Sequence, residues 1–408
     1  MIFLKKLSGE FMKGSLILFI MINLYNFLNY FFHFLMARLL GPEDFGTLAV
    51  LVSVIYIFMI PSEAIQTIIT KYTSRLSAKK NLGAIKDLFY RSVKKGLLVS
   101  FLIFAIFIPV SLFLSDFLKI DLSLLALTGL FIFVAFLMPL VRGILQGRKK
   151  FVGLGLNMIL EASVKIILAV SLVIYGWRVW GSIIGILMGG TAAFLSVFLF
   201  TTDILSKKRK SMEFKGIYSY SLPVFVAIVS LVLIYSLDII LAKRFFNPEI
   251  AGKYAVISML GKMIFFGTYS IGKAMFPLAS EKHESGKPTS EILGKSLKIV
   301  SLLSLIALLV YLFFPKLIIR IFFGSAYVDV FNILFIIGLA FTFLSIANII
   351  ILYNFSVNKT KKTFSLLFFV ILEIILLSIF NSNLFEFSIS VLIVSFLIFL
   401  YSLFLLRV

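Results

Sequence analysis

The chain has 408 residues, 61% of them hydrophobic and 14% charged, with mean hydropathy +1.11 and a formal net charge of +21. A soluble domain is about 45–50% apolar, so this excess excludes a single soluble core and calls for many membrane spans. The lack of cysteine excludes disulfides, thiolate metal sites and cysteine nucleophiles, and His33 and His283 alone exclude a multi-histidine metal site.

A helical span needs about 20 mostly apolar residues. About twelve such runs are expected, at 14–37, 46–70, 95–117, 122–145, 152–175, 179–202, 218–242, 251–278, 295–317, 328–353, 363–382 and 384–406. Lys5, Lys6 and Lys13 precede the first run as in a signal peptide. That run is too long and lacks a small-residue cleavage site, so it is expected to remain as the first span.

The first span carries Asn23, Asn26, Tyr30 and His33 at helical spacing, with Asn29 beside them. This stripe suits either sugar hydroxyls or hydrogen bonds between helices. The second span presents Tyr56, Glu63 and Thr67 on one face. The long stretch 71–94 follows, in which Ala84–Tyr90 is expected to form a short amphipathic helix at the membrane surface. Arg142 ends the fourth span, either to meet an entering phosphate or simply as an inside-facing cation.

In the fifth span Glu161 and Lys165 lie four residues apart, a spacing that suits an ion pair on one helix; the alternative is a carboxylate coupled to protons or sodium. Gly153-Leu-Gly155 is no nucleotide loop, because no strand precedes it and the glycine fingerprint is incomplete. Gly181, Gly185 and Gly189 mark a close-packing face in the sixth span. No Walker motif is present, so ATP is not expected to drive the protein directly.

Asp238 lies near the end of the seventh span, as a gate, an ion site or an interfacial carboxylate. In the eighth, Lys262 and Lys273 are spaced by about three helical turns and share a face with Tyr269 between them. They are candidates to hold a phosphate or diphosphate. The alternatives are that Lys262 pairs with Asp238 or Glu63 and that Lys273 reaches the membrane surface. Glu373 in the eleventh span has no partner on its own helix. Pro61, Pro109, Pro139, Pro223, Pro277 and Pro315 lie in or beside spans and are candidate hinges.

With the N-terminus in the cytoplasm, the loops on that side hold most of the 39 basic residues. On the other side fall Arg38, Lys119, Arg178, Lys243, Arg244, Lys253, Lys316 and Arg320. The asymmetry places both termini in the cytoplasm and accounts for the net charge without nucleic acid.

The chain also resembles itself. Arg38 to Val50 is echoed by Arg244 to Val256, with Arg38/Arg244, Pro42/Pro248, Glu43/Glu249, Gly46/Gly252, Ala49/Ala255 and Val50/Val256 identical. A second echo matches Ser92, Lys94, Leu98 and Ser100 to Ser296, Lys298, Leu302 and Ser304. Two six-helix bundles are expected, 1–203 and 217–408, joined by a basic cytoplasmic linker at 204–216. Each repeated Pro-Glu is expected to cap the following span. Paired homologous halves are a signature of transporters.

Ala37-Arg-Leu-Leu-Gly-Pro-Glu-Asp-Phe-Gly46 and Gly143-Ile-Leu-Gln-Gly147 with its basic follow-on resemble motifs of the polysaccharide-biosynthesis flippases. These form the Wzx-like branch of the multidrug/oligosaccharidyl-lipid/polysaccharide exporter superfamily. The resemblance implies a MATE-like all-α fold whose spans 1, 2, 7 and 8 face a central cleft. It also implies alternating-access flipping of a lipid-linked oligosaccharide across the cytoplasmic membrane, for surface polysaccharide or glycan synthesis. Membrane lipids and glycan-assembly enzymes are then the expected partners, and no cofactor is expected. The cleft candidates are Lys262, Lys273, Tyr269, Tyr56, Glu63, Asn26, Tyr30 and Arg142; the coupling or gating candidates are Asp238, Glu161 and Lys165. A cation-coupled multidrug-type antiporter is the first alternative. A membrane-embedded glycan polymerase or ligase ranks below it, because such an enzyme needs a large outer loop and the outer loops here are short.

Overall fold

The computed structural model describes residues 2–211, 222–357, 359 and 364–407. Expectations resting on linker residues 212–216 and on Lys361 and Lys362 lie outside the described residues, as do the side chains of Pro223 and Pro277.

The described elements are all helical. In chain order they are α1 (Ile2–Phe58), α2 (Ile60–Ala78), α3 (Leu82–Leu118), α4 (Leu122–Gly129), α5 (Phe131–Gly147), α6 (Phe151–Leu172), a π turn at Val173–Trp177, α7 (Arg178–Leu195), α8 (Val197–Phe200) and α9 (Thr202–Leu205). There follow α10 (Leu222–Phe245), α11 (Pro248–Glu284), α12 (Ser290–Phe313), α13 (Pro315–Phe322), a 3-10 segment at Ser325–Ile333, α14 (Leu334–Ser356), α15 (Leu366–Ile379) and α16 (Leu384–Arg407).

Nine helical runs among the described residues are long and apolar enough to cross a membrane. Two of them hold two crossings each. As a straight rod, α1 would extend about 85 Å, against a hydrocarbon core of about 30 Å. It is broken at Gly41, whose φ of 73° and ψ of 175° lie outside helical space, and Pro42 restarts the helix where its missing N–H costs nothing. The run Phe151–Phe200 is broken in the same way at Gly176, with φ 91°. With these breaks and the shorter apolar helix α15, the chain is an all-α polytopic membrane protein of about twelve spans.

Large apolar side chains such as Phe113 on α3 and Phe313 on α12 point outward. A surface of that kind belongs in lipid rather than water.

Several boundaries differ from the sequence expectations. Ala84–Tyr90 forms the first turns of the continuous helix α3 rather than a separate surface helix; Asn81 caps it by accepting from the Ala84 N–H at 3.1 Å. The ninth span stops at Phe313, because Pro315 opens the separate amphipathic helix α13. Pro61 likewise sits in the first turn of α2, whereas Pro109 and Pro139 lie inside α3 and α5.

Packing divides the chain into two compact units, Met1–Leu40 with Val54–Ser219, and Gly41–Ser53 with Tyr220–Val408. In the first, Gly143 and Gly147 let α5 lie against α2: a Cβ on Gly143 would be 2.7 Å from the Ile69 Cβ, and one on Gly147 would be 2.6 Å from the Thr70 carbonyl oxygen. Gly181, Gly185 and Gly189 bring α7 equally close to α6, as their spacing suggested. In the second unit α11 packs on α14 and also on α12, whose Tyr311 hydroxyl donates to the Leu260 carbonyl of α11 at 2.8 Å.

Candidate functional site

Within the helices of each unit lies a buried cluster of charged side chains, and these two clusters follow the same construction. Three polar residues spaced four apart share one face of a helix, and a neighbouring helix supplies the opposite charge.

In the first unit the face belongs to α6: Asn157, Glu161 and Lys165. Arg142 arrives from α5 and forms a largely buried ion pair with Glu161. Its Nε donates to Asn157 Oδ1 at 3.0 Å. Asn157 is fixed in turn by donating to the Ala193 carbonyl at 2.7 Å and to Ser196 Oγ at 2.8 Å. Helix α1 closes the cluster. The Tyr25 hydroxyl donates to Glu161 Oε1 at 3.1 Å, and the Arg142 guanidinium lies 5.4 Å from the Tyr25 ring centre. Lys165 donates to Asn29 Oδ1 and sits 4.8 Å from the Phe32 ring centre.

The spacing of Glu161 and Lys165 predicted an ion pair between them. Instead Glu161 pairs with Arg142 and Lys165 takes a neutral amide. A planar fork satisfies a carboxylate, an amide and an aromatic face together, which an ammonium cannot do. The cluster therefore holds two formal cations and one carboxylate.

In the second unit the face belongs to α11: Tyr254, Ser258 and Lys262. All three converge on Asp238 of α10. Lys262 Nζ lies 3.2 Å from Asp238 Oδ1, the Tyr254 hydroxyl donates to Oδ2 at 3.3 Å, and Ser258 Oγ donates to the same oxygen. Lys262 also lies 5.9 Å from the Phe341 ring centre. Glu373 of α15 is buried within electrostatic reach of Asp238 and Lys262, and its Oε2 has no hydrogen-bond partner among the described residues. This cluster holds two formal carboxylates and one cation. Its excess is opposite in sign to that of the first unit.

Of the candidates on α11, Lys262 is thus buried and committed to Asp238. Lys273 is exposed, with its Nζ 4.8 Å from the Tyr269 ring centre, so the two lysines sit in different surroundings. Asn23 and Asn26 are exposed on α1, and Tyr30 is half-buried. Tyr56 lies in the last turns of α1, and Glu63 in the first turn of α2, where it favours the helix start.

Sequence reasoning missed Tyr25, Asn157, Tyr254 and Ser258. The four-residue spacing that places Tyr254 and Ser258 in line with Lys262 was the available signal. Among the described residues no group of three or more His, Cys, Asp or Glu is placed to hold a metal ion.

The sequence model for polysaccharide biosynthesis proteins matches residues 35–332. No curated relative matches the chain. Among solved structures, the fold is similar to a multidrug resistance MATE family transporter of the MOP superfamily in an inward-facing conformation. That match has a TM-score of 0.76 at 14% identity and covers 93% of this chain and 94% of that one. It is also similar to the lipid II flippase MurJ in an inward closed conformation, with TM-score 0.72, 18% identity and coverage of 96% and 88%. A third likeness is to a MOP superfamily transporter from Pyrococcus furiosus, described as having a binding pocket of reversed polarity. Its TM-score is 0.65 at 14% identity, covering 96% and 92%.

Proposed function

This chain belongs to the polysaccharide biosynthesis protein family, and from that premise we propose that it flips a lipid-linked oligosaccharide, a polyprenyl phosphate or diphosphate sugar, across the cytoplasmic membrane. Transport would proceed by alternating access of the two halves, 1–203 and 217–408, with both termini in the cytoplasm. The likeness of the fold to a lipid II flippase supports a lipid-borne cargo.

The observation that carries this reading is the cationic excess of the first cluster. Arg142 and Lys165 face a single carboxylate, Glu161, so among the described residues the cluster carries one more positive charge than negative. An anionic head group supplies the balancing charge. Asn23, Asn26 and Tyr30 on α1 would meet the sugars. On α11, Lys273 and Tyr269 would serve as an exposed cation and ring, and Tyr56 and Glu63 would complete the polar lining. The second cluster, Asp238 with Lys262 and Glu373, would take up a coupling cation or proton against its anionic excess.

The reading is tested by mass spectrometry of the lipids retained when the protein is purified gently from its own host, alongside Arg142→Met/Lys165→Met. A polyprenyl phosphate or diphosphate sugar held by the native chain and lost from the variant is the expected result. Bulk phospholipid alone, held equally by both, overturns the reading in favour of a cation-coupled antiporter of the multidrug type.

A further inference from the structure

The two sequence halves build the same corner differently. The echo that aligns Ser92 with Ser296 and Lys94 with Lys298 also sets Asp87 opposite Glu291 and Arg91 opposite Lys295. Both pairs are ion pairs one helical turn apart: Arg91 lies 2.9 Å from Asp87, and Lys295 lies 2.7 Å from Glu291. Each marks the start of the third helix of its half, beside the end of the second.

In the first unit this corner is sealed by the chain that follows α8. Lys86 Nζ donates to the carbonyls of Leu205 and Lys207, and the Lys210 N–H donates to the Gly83 carbonyl at 3.1 Å. Arg209 adds a second cation to Asp87, whose side chain is 0% exposed. Ile204 is buried in the same apolar cluster as Leu76, Ile85, Leu88 and Phe89.

In the second unit the matching corner, between the end of α11 and the start of α12, has Leu406 of α16 packed against its Met275–Leu293 core and, among the described residues, remains partly uncovered. A groove of about 610 Å3 has Ile271, Met275 and Ile292 in its wall. Leu278 and Ile299 on its edge are 55% and 49% exposed. Lys282, Lys287 and Lys295 surround its mouth with Glu281. Glu291, the counterpart of buried Asp87, is 64% exposed and already held by Lys295 and, at 3.8 Å, by Lys282. Lys287, just past the turn at Gly286 with φ 68°, makes no ion pair or hydrogen bond through its side chain among the described residues.

We propose that this groove is a binding site for an anionic phospholipid of the surrounding membrane, with the phosphate at Lys282 and Lys287 and an acyl chain over Leu278 and Ile299. The charge selects this occupant. A basic strap like 204–210 would bring more cations to a mouth where lysines already outnumber the acids, whereas a lipid phosphate neutralises them. The exposed leucine and isoleucine make the groove continuous with lipid-facing surface, which a free phosphate would leave uncovered. The site is separate from the buried clusters and does not depend on the identity of the cargo.

The test is native mass spectrometry of the full chain in detergent, titrated with phosphatidylglycerol or with phosphatidylcholine of matched tails. The native protein is compared with Lys282→Gln/Lys287→Gln and with Lys207→Gln/Lys208→Gln, which removes the same charge from exposed positions in the first unit. The native chain and the 207/208 variant are expected to prefer phosphatidylglycerol by on the order of tenfold, and the 282/287 variant to lose that preference. An unchanged preference in the 282/287 variant, or an equal loss in both variants, overturns the proposal. Displacement of the bound phosphatidylglycerol by an equimolar polyprenyl phosphate overturns the assignment to a membrane phospholipid.

Discussion

Gly46 and Gly252, equivalent positions of the internal repeat, meet backbone to backbone within the second unit. A Cβ on Gly46 would lie 2.8 Å from the Gly252 Cα, and one on Gly252 would lie 1.7 Å from the Pro42 carbonyl oxygen. The shared glycine is therefore a matter of space, since a backbone atom cannot move aside as a flexible side chain does. Beside this crossing Lys243 Nζ donates to Thr47 Oγ1 at 2.9 Å.

Alanine at Gly46 or Gly252 is expected to destabilise the protein by about 1–3 kcal/mol, with Gly252 the more sensitive. Alanine at Gly267 or Gly294, where an added Cβ meets nothing within 4 Å, is expected to be neutral or mildly stabilising. Fluorescence-detected size-exclusion after a heating series separates the pairs. Equal losses at all four positions would contradict the crossing.

Lys262 and Asp238 form a buried pair, so the single changes and the double change should diverge. Lys262→Met leaves Asp238 uncompensated next to Glu373 and is expected to cost about 3–5 kcal/mol. Lys262→Met with Asp238→Asn is expected to recover most of that stability but not transport. The same heating series, followed by a transport assay, reads both. A double variant no more stable than the single one would show that the pair is not the source of the loss.

Arg142 has three partners arranged around a plane: Glu161, Asn157 and the Tyr25 ring. Lysine keeps the charge but not the fork, so Arg142→Lys is expected to lose about 1–3 kcal/mol through the stranded Asn157 and Tyr25 contacts. Native-like thermal stability in Arg142→Lys would mean that charge alone holds the cluster.

Asp203 ties the end of the first half to its basic corner, accepting from Arg148 at 3.0 and 2.6 Å and from Lys150 at 3.3 Å. The Arg148 hydrogen bonds, outweighing an opposing push from burial and helped by the Arg148 and Lys150 charges, hold its carboxyl down from 3.8 to about 2. A depressed carboxyl stabilises the folded state above its unfolded value and loses that contribution as pH falls. The benefit should be complete above about pH 4 and vanish as pH drops through about 2. Asp203 is 42% exposed, so the effect should stay within about 1 kcal/mol. The difference in melting temperature between the native chain and Asp203→Asn, followed from pH 6 downward, should shrink in that window. A difference that grows on acidification would reverse the sign.

Much of the fold was legible because apolar runs and breaks are local. Gly41-Pro42 and Asn247-Pro248 turn the chain for reasons within a few residues: Asn247 Oδ1 accepts from the Ile250 N–H at 2.8 Å, and Pro248 opens α11. Gly185 and Gly189 announced a packed face by spacing alone. The polar clusters were legible only in part. Charge inside a span singled out Glu161, Lys165, Asp238, Lys262 and Glu373, but their partners depend on how helices far apart in sequence are rotated. Tyr25 reaches Glu161 across most of a bundle's sequence, and no spacing rule on α6 reveals it. Nor does periodicity show that Lys262 turns inward while Lys273 stays outside.

The most direct test of the account is movement of the cargo itself. Vesicles holding the purified chain would be loaded with a fluorescent polyprenyl-diphosphate oligosaccharide, and the accessibility of its sugars to an external glycosidase would be followed with time. The native chain is expected to expose the inner-leaflet pool far faster than Arg142→Met/Lys165→Met or protein-free vesicles. Native vesicles that match protein-free vesicles, while a small organic cation crosses them, would contradict flipping and assign the fold to small-molecule export.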